Sequence, residues 1–80
     1  MESPIVTLHQ LGYLLQEIRG QRGLTQRQLG LRAGFGQSAI SALESNPGSA
    51  KMERIFQLLA ALDLEIVLRE RKHHLAEHEW

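Results

Sequence analysis

The twenty residues Thr25–Glu44 constrain this chain more than any other stretch. Thr25 followed three residues later by Gln28 is a capping-box pattern, which starts a helix at Gln26. Leu29, Ala33 and Phe35 are apolar at offsets that pin this helix and the turn after it to a core. Gly30 is small where two helices cross closely, and Gly34 stands at the helix exit, where a left-handed backbone is cheapest for glycine. Ile40 and Leu43 then give a second helix a narrow buried stripe, leaving Gln37, Ser38 and Ser41 on its outer face. Two short helices around a glycine-bearing turn, the second with a polar outward face, make a helix-turn-helix. Small helical bundles also hold such connections without touching DNA. The short, polar, uncharged outer face favours the DNA-reading alternative here.

The rest of the chain supplies the frame. Met1 to Val6 reads as an extended arm, because Ser3-Pro4 disfavours helix. Thr7 with Gln10 is a second capping box, opening a helix with Leu8, Leu11, Leu15 and Ile18 on one face and an end near Gly20 to Gly23. Ser45 to Ser49 is a turn-rich loop. Ser49 or Ala50 then precedes a periodic helix whose buried residues are expected to be Met52, Ile55, Phe56, Leu59 and Leu62. Beyond it the period changes. Leu64, Ile66 and Leu68 alternate with Glu65, Val67 and Arg69, the pattern of a strand. A lone strand leaves its backbone groups unpaired. Its nearest partner is the same strand of a second copy across a two-fold axis, with Leu64, Ile66, Val67 and Leu68 as the dimerising residues. Pairing with Ile5-Val6 inside the chain is the alternative. Residues 1–69 thus form one helix-turn-helix domain with a dimerising strand, and 70–80 a polar, His-rich tail expected to be mobile.

Eighty residues without cysteine make one small domain with no disulfide staple. No apolar run approaches the roughly 20 residues of a membrane helix, and no signal region opens the chain, so a cytoplasmic location is expected. Net charge is zero, yet from Arg19 to Arg54 six basic residues face only Glu44 and Glu53. Such a distribution can present a positive face to phosphate. No Gly-rich phosphate loop, no paired carboxylates in a plausible pocket and no nucleophile beside a base is present, so no enzyme, cofactor or metal is expected. His73, His74 and His78 without cysteine ligands make a weak metal site at most.

Roles follow from side-chain chemistry. Gln37 can bond an adenine edge with both amide atoms and is the expected principal base reader, with Ser38 and Ser41 as secondary readers. Gln26, at a helix start, is placed for a phosphate. Arg27, Arg32, Asn46, Ser49 and Lys51 are further phosphate candidates, with a solvated surface role as the alternative for each arginine. Glu44 is read as structural, pairing with an arginine or the following loop.

Thr25-Gln26, Leu29, Ala33-Gly34, Ile40-Ser41 and Glu44 together resemble the Xre/Cro-type helix-turn-helix family. Adding Leu62-Asp63-Leu64-Glu65-Ile66-Val67-Leu68 and a tail ending in Glu79-Trp80, the chain resembles the HipB antitoxins over nearly its whole length. The resemblance implies a mostly α, lambda-repressor-like domain of four to five helices, with one C-terminal β-strand forming an intersubunit ribbon. It implies a homodimer that binds operator palindromes, represses its own operon and restrains a HipA-family serine/threonine kinase toxin, present as one chain or split into two. It also makes Trp80 a hook onto the toxin or its partner. Gly36 departs from the larger, often basic residue usual in the family, which removes one possible DNA contact; Ala39 and Ala42 likewise offer no hydrogen bonds. Two other readings compete. One is a stand-alone Cro-like repressor with no toxin partner, and the other a protein-interaction module that uses the same bundle only for assembly.

Overall fold

The computed structural model describes residues 2–71; His73, His74, His78 and Trp80, singled out in the sequence, lie outside the described residues. Four helices follow one another: α1 (Leu8–Gln21), α2 (Gln26–Ala33), α3 (Gln37–Ser45) and α4 (Met52–Ala61), with a short 3-10 turn at Pro47–Ser49 before the last. Both capping boxes form. Thr7 Oγ1 accepts from the Gln10 N–H at 3.1 Å and Gln10 Oε1 accepts from the Thr7 N–H at 3.0 Å. Thr25 and Gln28 repeat the exchange at 3.0 and 2.9 Å. Each box satisfies two backbone donors that a helix start would otherwise leave without a partner.

Three helices end alike. Gly23, Gly34 and Asp63 adopt left-handed backbone (φ 68°, 86° and 59°) just past α1, α2 and α4. The next residue then donates its N–H five residues back: Leu24 to Arg19, Phe35 to Gly30 and Leu64 to Leu59, at 3.1, 2.8 and 2.8 Å. All three of these apolar residues pack against the core, the usual companion of such an exit.

The core takes Leu15 and Ile18 from α1, Leu29 from α2, Ile40 and Leu43 from α3, Ile55, Leu58 and Leu59 from α4, and Leu62 behind it. Three sequence expectations fail here. Met52 and Phe56 are 59% and 54% exposed, and Leu58 is buried in their stead. Ile55, Leu58, Leu59 and Leu62 form a complete stripe along α4, whereas Phe56 is turned about 100° from Ile55 and faces outward. Leu8 is also exposed, at the first turn of α1 beyond the edge of the core; its tip lies over Gly48. The start of α4 shifts too, with Lys51 rather than Ser49 or Ala50 at the N-cap.

Gly12 explains how closely α1 can cross the end of α3. A Cβ there would lie 2.4 Å from the Glu44 carbonyl and 3.0 Å from Pro47 Cγ, which is buried in the 3-10 turn. The far ends of α1 and α4 are tied by Arg22, whose guanidinium donates to the Leu62 carbonyl.

Among the described residues there is no strand. Leu64 rests on the core, but residues 65–71 make no backbone–backbone hydrogen bond with any other described residue, and Ile66, Val67 and Leu68 are exposed. The alternative pairing with Ile5-Val6 is not formed either; an ion pair of 2.9 Å joins Arg69 to Glu2.

Candidate nucleic-acid interface

The interface is built outward from a buried charge. Glu44, on the inner face of α3, has its side chain only 3% exposed. Arg19 of α1 meets it in a two-point contact, Nε to Oε2 at 2.6 Å and Nη2 to Oε1 at 3.2 Å. The remaining Arg19 nitrogen donates to the Leu24 carbonyl at 2.8 Å. Gln26 Nε2 also donates to Glu44 Oε1, at 3.1 Å. One carboxylate therefore joins α1, α2 and α3, and its negative charge is neutralised internally. This fulfils the structural expectation for Glu44.

With that face of α3 buried, the opposite face is left to solvent. Ser38, Ser41 and Ser45 fall on one stripe at helical spacing, with Gln37 and Ala42 flanking them. Gln26, Gln37, Ser38 and Ser41 line a single shallow groove with Ala42 and Ser45. The structure thus gathers the three expected base readers and the expected phosphate residue at the start of α2. Ser45 was missed by the sequence reading, although its place four residues after Ser41 was the available signal. Its hydroxyl donates to the Ser41 carbonyl at 2.9 Å, so it faces the groove as an acceptor.

The phosphate candidates divide. Gln26 keeps one amide N–H and its backbone N–H after bonding Glu44, because the Thr25 side chain caps only the Gln28 N–H. Arg27 and Arg32 are both exposed, yet they stand about 140° apart around α2, on opposite flanks of its buried stripe. They do not address one side together. The Ser49 hydroxyl donates to the Asn46 carbonyl at 2.9 Å, which commits its single proton within the loop. Ser49 and Lys51 line a second groove, bounded by Phe35, Ala39 and Ala42 on one side and Arg54 and Gln57 on the other.

These features have counterparts in known proteins. A helix-turn-helix family profile matches residues 15–68. Antitoxin HipB of Escherichia coli strain K12 is 33% identical over 64 residues, spanning 80% of this chain and 73% of that protein. HipB of the O6:H1 strain CFT073 gives the same identity over 80% of this chain and 68% of its own. The chain belongs to the HipB-type helix-turn-helix family. Its fold agrees with a chain of a HipA–HipB–O2–O3 complex at a TM-score of 0.83 and 31% identity, covering 89% of this chain and all of that one. The controller protein of a restriction-modification system from Aeromonas hydrophila is similar at a TM-score of 0.65 and 31% identity, over 72% of this chain and 84% of its own. Among the described residues no group of His, Cys, Asp and Glu could hold a metal ion, and no helix is long and apolar enough to cross a membrane.

Proposed function

We propose that this chain is a DNA-binding autorepressor and antitoxin, acting as a homodimer on operator palindromes and binding a HipA-family serine/threonine kinase toxin. The observation that carries the DNA half is the outer face of α3. Gln37, Ser38 and Ser41 are exposed there, side by side in one groove whose edge is the start of α2. An α-helix with its side chains fills a major groove about 12 Å wide, so this face meets base edges while Gln26 and the α2 backbone meet phosphate. Gln37 is the principal reader, with Ser38 and Ser41 secondary. Asn46, Lys51 and whichever of Arg27 and Arg32 lies on the flank of α2 toward the duplex supply backbone contacts, with Ser49 joining only if its bond to Asn46 opens. The dimer forms through Leu64, Ile66, Val67 and Leu68: Leu64 anchors the segment on the core, while the exposed apolar side chains of Ile66, Val67 and Leu68, and a backbone without a ladder partner among the described residues, suit an antiparallel ribbon with a second copy. The toxin half is supported by the likeness to HipB, which is found in a complex with HipA; Trp80 is its proposed anchor.

The test is a titration of duplex from upstream of the chain's own reading frame, set beside a random duplex of equal length. Gln37→Ala is expected to weaken specific binding by about 1–3 kcal/mol and leave binding to the random duplex unchanged. Equal affinity of wild type and Gln37→Ala for the specific site would end the assignment of that residue. Affinity purification of the tagged chain from its host tests the toxin half, with a co-purifying kinase-fold protein as the expected result. The likeness to a restriction-modification controller favours a second reading, a stand-alone repressor, for which only the homodimer is recovered.

A further inference from the structure

The groove between α3 and α4 contains a cation that the readings above do not use. The Arg54 guanidinium lies over the Phe35 ring, 4.6 Å from its centroid, and has no carboxylate partner among the described residues. Phe35 belongs to the turn between α2 and α3, so the ring fixes the arginine against the side of the helix-turn-helix opposite the Gln26 groove. Ala42 of α3 borders both grooves. α3 is therefore a ridge with a trough on each side, one edged by the start of α2 and the other by the start of α4.

A helix lying in the major groove has a sugar-phosphate strand along each flank. The α2 side presents Gln26 to one strand. The α4 side presents Lys51 and Arg54 to the other, with Glu53 the one carboxylate among the described residues that line that trough. We propose that Arg54, oriented by the Phe35 ring, is a phosphate contact that grips the second strand of the duplex and so fixes the angle at which α3 enters the groove. The inference rests on the DNA-binding reading. Stacking on an aromatic face leaves the edge N–H groups of a guanidinium free to donate, and holding it flat reduces the rotamer entropy lost when phosphate binds. A lysine at this position would keep the charge but lose the planar fork.

The full chain is titrated with a specific and a random duplex over a series of salt concentrations, as wild type, Arg54→Ala, Arg54→Lys, Phe35→Leu and the double variant Phe35→Leu/Arg54→Ala. Arg71→Ala, which removes the same charge from the far end of the described chain, controls for net charge. Arg54→Ala is expected to weaken both duplexes alike, about five- to tenfold per half-site, and to lower the salt slope by about 1.8, since each dimer loses two phosphate contacts. Arg54→Lys is expected to keep the slope, and Arg71→Ala to keep both slope and affinity. Phe35→Leu is expected to fall between wild type and Arg54→Ala, with the double variant no weaker than Arg54→Ala alone. Thermal melts of each variant separate lost binding from lost folding. Wild-type affinity and slope in Arg54→Ala, or an equal loss in Arg71→Ala, overturns the inference while leaving the DNA reading intact. Additive losses in the double variant overturn the orienting role of Phe35. A wild-type chain that binds neither duplex overturns the DNA reading and this inference with it.

Discussion

Glu44 shows at the scale of a single residue how stability and recognition are joined. Its carboxylate is almost wholly buried and holds Arg19 by two nitrogens while also receiving Gln26. Removing one partner of a buried pair leaves the other desolvated and uncompensated. Glu44→Ala is therefore expected to destabilise the fold by about 3 kcal/mol, toward the low end for buried pairs because Arg19 keeps 15% of its side-chain surface in solvent. Urea unfolding should show a lower midpoint with an unchanged slope. The sequence identified Glu44 as structural because an acid does not suit a surface meant for phosphate. It did not name the partner, since nothing in spacing relates Glu44 to Arg19, twenty-five residues away. Gln37, Ser38 and Ser41 were legible because helical period alone separates them from Ile40 and Leu43. Arg54 and Phe35 were not, because their contact depends on how α4 folds back over the turn.

At the scale of the element, the helix ends are the most transparent part of this chain. Both capping boxes formed where Thr and Gln stand three residues apart, since the bonds involved are local and need no tertiary partner. The exits follow one design, with Gly23 and Gly34 in left-handed backbone and an apolar residue next to each. Asp63 is the exception. It takes the same backbone at φ 59° with a Cβ, and it places a carboxylate at the negative end of the α4 dipole. Both effects are unfavourable and neither is offset by an ion pair among the described residues. Asp63→Gly is expected to stabilise the chain by about 0.5–1 kcal/mol after the added entropy of the unfolded glycine is counted. A thermal melt at fixed protein concentration should then rise by a few degrees, roughly 4–8 °C per kcal/mol for a domain of this size. The buried face of α4 was harder to read. Six large apolar residues from Met52 to Leu62 compete for a stripe that holds fewer, and only the packing of α1 to α3 decides that Leu58 enters while Phe56 stays out.

At the scale of the whole molecule, the single chain leaves its C-terminal segment unfinished. Ile66, Val67 and Leu68 place apolar surface in solvent, Leu68 at 93%, while the backbone of residues 65–71 has no backbone partner among the described residues. The alternation seen in the sequence cannot become a strand without a second strand, and Ile5-Val6 does not provide it. In the proposed dimer a second copy would supply both the hydrogen-bond ladder and the apolar cover, and would bring a second α3 to the adjacent half-site about 34 Å along the duplex. Ile66→Lys/Leu68→Lys places like charges close together across such a ribbon, which disfavours pairing. Sedimentation equilibrium is expected to find a dimer for wild type and a monomer for this variant, with the helical circular dichroism unchanged because neither side chain enters the core. Specific DNA binding should then fall far more than a single lost contact would cause, since each half-site must be occupied independently and the effective concentration supplied by the linked second module is gone. A variant that stays dimeric would place the association elsewhere, with the exposed Met52 and Phe56 of α4 as the next surface to alter.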